Sequence, residues 1–200
     1  MKLLILYPSE FKSFSKFTRK LDKILSDREA DEVIFLLDPN NFIEEYFREN
    51  KPNTRSRQCK SWPEINATHA IIFDDGEEFP IEYRNLKESG VDTRRIKIPI
   101  TRVINIKKED QYKNLKSTSE YEYIGRGSYW GNPYAMHEDG ASRDEVIRKF
   151  KYDFDYEKFP NKEKSEVYKL AGKRLGCFCK PEACHGDVLA DFLNSWDDGN

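Results

Sequence analysis

The chain is expected to fold as an α/β protein in two parts. A parallel sheet with helices on both faces spans residues 1–101, and a smaller α/β or α+β domain spans residues 102–200. Three observations lead there. Short apolar runs alternate with stretches of helical periodicity through the first part. Those runs are continuous rather than alternating, as in strands covered on both faces. The regular alternation then stops near Pro99–Arg102, where a second unit begins with its own strand.

The elements follow in order. Residues 3–7 read as a buried strand that Pro8-Ser9 ends. Phe14, Phe17, Leu21, Ile24 and Leu25 recur at helical spacing. Residues 33–37 are a second apolar run, and Asp38-Pro39-Asn40 is a turn able to start a helix that buries Phe42, Ile43, Tyr46 and Phe47. Residues 51–60, polar and basic with Pro52, Arg55 and Arg57, read as an exposed loop; Cys59 within it reads as an ordinary core or surface residue. Residues 70–73 form a third strand closed by Asp74-Asp75-Gly76. Residues 80–89 fit a helix with Ile81 and Leu86 inward and Gly90 as its C-cap, and residues 95–100 supply a fourth strand.

In the second part, residues 103–106 are a strand and residues 107–120 a charged connector. Ser142 with Glu145 three residues on makes a capping box, and Val146, Ile147 and Phe150 follow on the apolar face. Residues 165–172 read as a helix and residues 173–179 as a strand leaving it. Residues 187–196 form the last helix, burying Val188, Leu189, Phe192 and Leu193, and residues 197–200 should fray.

Composition excludes several classes. With 35% charged residues and a formal charge of −2, no strongly basic surface is dictated, although local clustering of Lys and Arg could still bind nucleic acid. The apolar fraction of 38% is low, but 14% aromatics can build the cores. The opening apolar run is too short for a signal-peptide core, and nothing approaches the ~20 apolar residues of a membrane span. A cytoplasmic protein without a membrane partner is expected. Close-set cysteines in that compartment are ligands or reactive thiols before they are disulfides.

Two segments carry the chemistry. The first is Cys177-Phe178-Cys179-Lys180-Pro181-Glu182-Ala183-Cys184-His185-Gly186-Asp187, which holds three of the four cysteines and one of the three histidines. If zinc binds, Cys177, Cys179, Cys184 and His185 are its ligands. Against zinc stand the adjacency of Cys184 and His185 and the lack of a paired CxxC knuckle. The alternative uses the start of the following helix, where free N–H groups favour an anion and can activate a thiol. There Cys184 and His185 are the candidate catalytic groups, and Cys179, Gly186 and Asp187 line the ligand. His185 would be the general acid/base, since imidazole titrates near neutrality. Asp187 can also serve as a helix cap, and Cys177 as a small core residue.

The second segment is Gly125-Arg126-Gly127-Ser128-Tyr129-Trp130-Gly131-Asn132-Pro133, a loop by its glycines and proline. Arg126 can grip a phosphate or carboxylate with two bonds. Trp130 and Tyr129 can stack on a base or sugar, and Asn132 can read an amide or base edge. Gly127, Ser128 and Gly131 let the backbone approach the ligand, while Arg143 and His137 are close enough in sequence to line the same cavity. Trp130 could instead plug the core of a rigid turn. The two segments are expected to form one site.

These residues carry a resemblance. The motifs Arg126 to Pro133, Ser142-Arg143 and Cys177 to Asp187, read as RGSxxGNP and CxCxPxxCHGD, resemble domain of unknown function 4326 of bacteria and their phages, which implies a site but no reaction. The first part resembles the SLOG superfamily of Rossmann-like folds through residues 9–17, Trp62-Pro63 and Ile71-Ile72-Phe73-Asp74-Asp75-Gly76 before a helix. That group includes nucleotide sensors and enzymes cleaving N-glycosidic bonds. Its glycine-rich phosphate-binding elements are replaced here by Leu37-Asp38-Pro39-Asn40 and Glu77-Glu78-Phe79-Pro80, which implies a degenerate member serving as scaffold or partner surface.

The functional expectation is therefore a protein binding a nucleotide, nucleoside or modified base in its second domain, with a phosphate-bearing or N-glycosidic substrate if it is an enzyme. Two alternatives stand beside it. One is a non-catalytic phage or bacterial factor acting on a host protein or nucleic acid, with residues 51–60 as a contact loop. The other is a zinc-stabilised interaction module.

Overall fold

The computed structural model describes residues 1–136 and 140–199. Its chain divides into two compact units: Met1–Ile98 together with the tail from Ser195, and Pro99–Asn194.

The first unit runs β1 (Lys2–Leu6), α1 (Phe14–Leu25), β2 (Glu32–Phe35), α2 (Phe42–Asn50), β3 (Arg55–Gln58), β4 (His69–Asp74), α3 (Pro80–Glu88) and β5 (Asp92–Lys97). All five strands are parallel, in the order β3-β2-β1-β4-β5, so the chain winds outward from β1 and then crosses to β4. Strand alternation sends two sets of side chains to opposite faces. One face packs Phe17 against Phe73 with ring centroids 4.9 Å apart, beneath Tyr7, Phe11 and Phe42. The other packs Leu4, Leu6, Ile34, Ala70 and Ile72 against Leu86 of α3.

Three expectations for this unit need correction. Residues 55–58 are a strand rather than loop. β3 is an edge strand without an apolar residue, so hydrophobic periodicity is silent, and its pairing with β2 rests on the backbone ladder and a cross-strand ion pair. Arg57 in it bonds Glu32 at 3.0 Å and Asn66 at 2.7 Å, which removes a cation from the supposed nucleic-acid loop. Second, Ile81 is 63% exposed while Leu86 is buried, because five helical residues turn through about 500°, placing the two on different faces. Third, the tail is held: Lys16 pairs with Asp198 at 2.6 Å and Arg19 with Asp197 at 2.5 Å.

The second unit holds β6 (Arg102–Asn105), β7 (Tyr121–Tyr123), α4 (Arg143–Asp155), β8 (Arg174–Cys177) and α5 (His185–Ser195), with a 3-10 helix at Lys164–Leu170 where an α-helix was expected. β8 lies between β6 and β7 and is parallel to both. β7 falls just past the segment read as connector, and only three residues long it gives no period to detect. Ser142 caps α4 as expected, accepting the Glu145 N–H at 3.2 Å. The core gathers Ile124, Trp130, Phe150, Phe154, Val167, Leu175, Leu189 and Leu193.

One polar clamp fixes the end of α5. The buried Asn194 amide accepts the Thr101 N–H at 2.8 Å and donates to the Thr101 carbonyl at 3.0 Å. Asn194→Ala leaves both backbone groups unpaired in a buried place, and each costs about 1–3 kcal/mol. Urea unfolding should show a loss of that order, whereas a change below about 0.5 kcal/mol would mean the clamp is redundant.

Candidate functional site

β8 sits centrally, so its carboxyl end delivers Cys177 into the unit's interior, and the turn that follows brings the chain back to α5. Asp187 closes that turn: one carboxylate oxygen accepts the Cys184 N–H at 2.8 Å and the other pairs with Lys180 at 2.6 Å. Asp187 is therefore a cap with both oxygens engaged, and it does not line the ligand pocket.

The turn packs sulfur and nitrogen together. Cys177 Sγ lies 3.5 Å from Cys179 Sγ, and Cys184 Sγ lies 3.6 Å from His185 Nδ1. The donor atoms of Cys177, Cys184 and His185 all fall within 4.8 Å of one another. The Gly186 N–H points at Cys184 Sγ from 3.4 Å. Gly186 is required by packing: a Cβ there would sit 2.4 Å from Ile124 Cδ1 and 3.1 Å from Val103 Cγ2. It faces the core, so its expected contact with a ligand is withdrawn.

His185 is 6% exposed, with its ring edge-on to Phe150 at 4.9 Å. Its Nε2–H donates to the Ile124 carbonyl at 2.9 Å, which leaves Nδ1 as the unprotonated nitrogen turned toward the sulfurs. Burial pushes the imidazole below its ordinary pKa. Both nitrogens thus have protein partners, Nε2 at the Ile124 carbonyl and Nδ1 at Cys184 Sγ. Among the thiols, a hydrogen bond from Cys184 draws Cys177 down to about 5, aided by backbone and Cys179 contacts. That same bond and burial raise Cys184, and burial raises Cys179. Without a cation the cluster thus favours a single negative charge, with Cys177 drawn below its ordinary pKa and Cys184 raised above its own.

The loop residues separate into two roles. Trp130 is only 4% exposed and packs edge-on to Phe154 in the core, so it plugs the unit and does not stack on a ligand. Ser128 spends its hydroxyl on the Gly125 carbonyl at 2.8 Å, and the Gly131 N–H bonds the Ser128 carbonyl at 3.1 Å. Gly127, with φ of 84°, and Gly131 shape these successive turns. Asn132 ties the loop to α4, donating to the Val146 carbonyl at 3.1 Å and accepting the Tyr134 N–H at 2.9 Å.

Arg126 and Asn132 nevertheless meet the cysteine turn. One pocket of about 120 Å³ is lined by Arg126, Asn132, Tyr134, Arg143, Cys179, Cys184 and His185, closed by Met136, Val146, Ile147 and Ala183. Arg143 donates to the Ala183 carbonyl at 3.1 Å and also approaches Cys179, so it pins the turn to α4. A wider depression of about 720 Å³ lies against Ser128, Tyr129, Pro133, Lys158 and Lys162, and Tyr134 borders both hollows. Sequence reasoning missed Tyr134 and Met136. Their only signal was an aromatic and a long apolar residue directly after a glycine-rich loop. His137 lies outside the described residues.

Comparison with known proteins then places the molecule. A family model described as "Minimal SLOG domain" matches residues 1–104. The chain belongs to this minimal SLOG family. A second model, "Domain of unknown function (DUF4326)", matches residues 104–195 of the same minimal SLOG protein. An uncharacterized 12.4 kDa protein in the nrdA-td intergenic region of Enterobacteria phage T4 is 43% identical over 72 residues, which cover 36% of this chain and 65% of the phage protein. The chain thus spans just under two thirds of that relative's length. No solved structure matches.

Two aspartates that follow strands of the SLOG unit bind backbone amides. Asp38, after β2, accepts the Ile43 N–H at 3.2 Å and the Glu44 N–H at 2.9 Å at the start of α2, and takes a further hydrogen bond from Tyr7. After β4, Asp75 accepts the N–H groups of Glu77 and Glu78, each at 3.0 Å. Asp38 thus holds free amides of the first turn of α2, which would otherwise be open to an anion, whereas Asp75 closes the loop before α3. No helix among the described residues is long and apolar enough to cross a membrane.

Proposed function

We propose that this minimal SLOG protein binds a nucleotide, nucleoside or modified base in its second unit, with the anionic end of the ligand against Arg126 and Arg143. The observation that carries the reading is the pocket in which both arginines meet the cysteine turn, with no carboxylate among its described lining residues. Two guanidinium groups in a hollow of that sign suit phosphate or carboxylate. A volume of about 120 Å³ holds one base or one phosphate, below the ~300 Å³ at which whole-ligand sites begin. The depression across Tyr134 has room for the remainder. In this reading Tyr129 and Tyr134, which border the depression, stack on the ligand in place of Trp130. Membership of the SLOG family supports nucleotide chemistry in general terms.

The test is a thermal-shift and calorimetric panel of nucleobases, nucleosides, mono- and diphosphates and dinucleotides. At least one should raise Tm. Arg126→Ala should weaken that ligand about 10- to 100-fold, the loss of one or two charge-assisted bonds of about 1.5–3 kcal/mol. Absence of any shift across the panel, or a shift unchanged in Arg126→Ala, would sink the reading.

A further inference from the structure

We propose that Cys177, Cys179, Cys184 and His185 hold a single zinc ion, which ties the end of β8 to the start of α5. This goes beyond ligand binding in the pocket and does not depend on it.

Tetrahedral zinc with bonds of about 2.3 Å to sulfur and about 2.0–2.1 Å to nitrogen separates its ligands by roughly 3.7 Å between sulfurs and roughly 3.5 Å between sulfur and nitrogen. The observed separations are 3.5 Å between Cys177 and Cys179 Sγ, and 3.6 Å between Cys184 Sγ and His185 Nδ1. Cys177, Cys184 and His185 keep all their donor atoms within 4.8 Å, so a small inward shift of the side chains brings the three onto one ion. Cys179, half-buried at the pocket wall with its sulfur 3.5 Å from that of Cys177, lies outside this trio and would swing in as the fourth ligand. The imidazole is also set as a ligand. Its Nε2–H is anchored on the Ile124 carbonyl at 2.9 Å, the outer-sphere bond that metal-binding histidines make, and Nδ1 presents its lone pair to the sulfurs. The Gly186 N–H on Cys184 Sγ is a second contact of that kind.

The sequence argued against zinc on two grounds, and the geometry answers the stronger. Adjacent Cys184 and His185 converge because the helix starts between them: Cys184 is the last turn residue, and His185 is the first residue of α5. The missing second CxxC is replaced by a CxC at the strand end, whose two sulfurs lie 3.5 Å apart.

Softness of the donor set selects the metal. Three thiolates and one imidazole in tetrahedral array suit zinc over calcium or magnesium, which take oxygen ligands. A closed four-ligand site is structural rather than catalytic.

The test is metal analysis of the full-length protein purified without a histidine tag, paired with native mass spectrometry. One zinc per chain is expected in the wild type and in Cys59→Ser, whose cysteine lies in the other unit, and none in Cys184→Ser. Because Cys184→Ser could fail to fold, a second measurement uses the wild type alone. Reduced, chelator-stripped protein is titrated with cobalt(II), which should give the visible bands of a tetrahedral site and thiolate charge transfer, saturating at one equivalent. Metal-free wild type that yields no such bands, stoichiometric iron in place of zinc, or a folded Cys184→Ser that keeps one zinc would each overturn the assignment. Zinc without any nucleotide shift would leave this inference standing while the ligand reading fell.

Discussion

Phe150→Ala is expected to destabilise the second unit by about 3–5 kcal/mol, the cost of deleting a fully buried aromatic ring and leaving a cavity. The ring lies 5.0 Å from Phe159 and 4.9 Å from His185, so it closes the hydrophobic core and backs the imidazole at once. Because the chain has two units, a single unfolding midpoint would blur the effect. Native-state hydrogen exchange resolves it, since amides of α4 and β8 report the opening of their own unit. Their exchange should quicken by roughly two to three orders of magnitude, at about 1.4 kcal/mol per tenfold, while amides of β1 and β4 keep their rates. Phe150→Leu, which keeps most of the volume, should cost far less. Equal costs for the two variants would show that the site collapses freely around the lost ring, and the packing argument would fail.

How far the sequence carries is clearest at the same residues. Phe150 was legible because Val146, Ile147 and Phe150 recur at helical spacing behind the Ser142 cap, and local signals of that kind survive folding unchanged. The five-stranded sheet was readable for the same reason wherever its strands are buried. β3 and β7 were not, because an edge strand and a three-residue strand are stabilised by backbone pairing, which leaves no side-chain pattern. At the site, the meeting of Arg126 with the cysteine turn followed from the density of unusual residues in both segments. The roles within it did not follow. Whether Trp130 faces a ligand or the core depends on the loop's turn geometry, and its bulk suits either. Asp38 is subtler still. An aspartate ahead of a helix reads from sequence as a turn, and only the bonds to Ile43 and Glu44 show that its carboxylate takes the first-turn amides.

Gly176→Val separates propensity from packing most sharply. Gly176 lies in β8, the central strand of its sheet, where valine is ordinarily better than glycine by up to about 1 kcal/mol. The structure demands the reverse. A Cβ at this position would fall 2.3 Å from Tyr121 Oη and 2.6 Å from its Cε2, well inside contact distance. Tyr121 cannot easily withdraw, being fully buried and stacked on Tyr112 with centroids 4.7 Å apart. Overpacking of this kind costs about 1–3 kcal/mol, and a branched residue against a rigid ring belongs at the top of that range. Coupling provides the decisive check. Tyr121→Ala alone should cost about 3–5 kcal/mol through its cavity, yet it frees the space that valine needs. The double variant should therefore be more stable than the sum of the single effects predicts, by about 1–3 kcal/mol. Strict additivity, or a stabilising Gly176→Val, would mean that the tyrosine ring does not guard the glycine. The consequence reaches the site, because Cys177 is the next residue along β8. A strand displaced by valine moves that sulfur relative to Cys184 and His185, so Gly176→Val should also lower the content of the proposed zinc, and Tyr121→Ala should restore it.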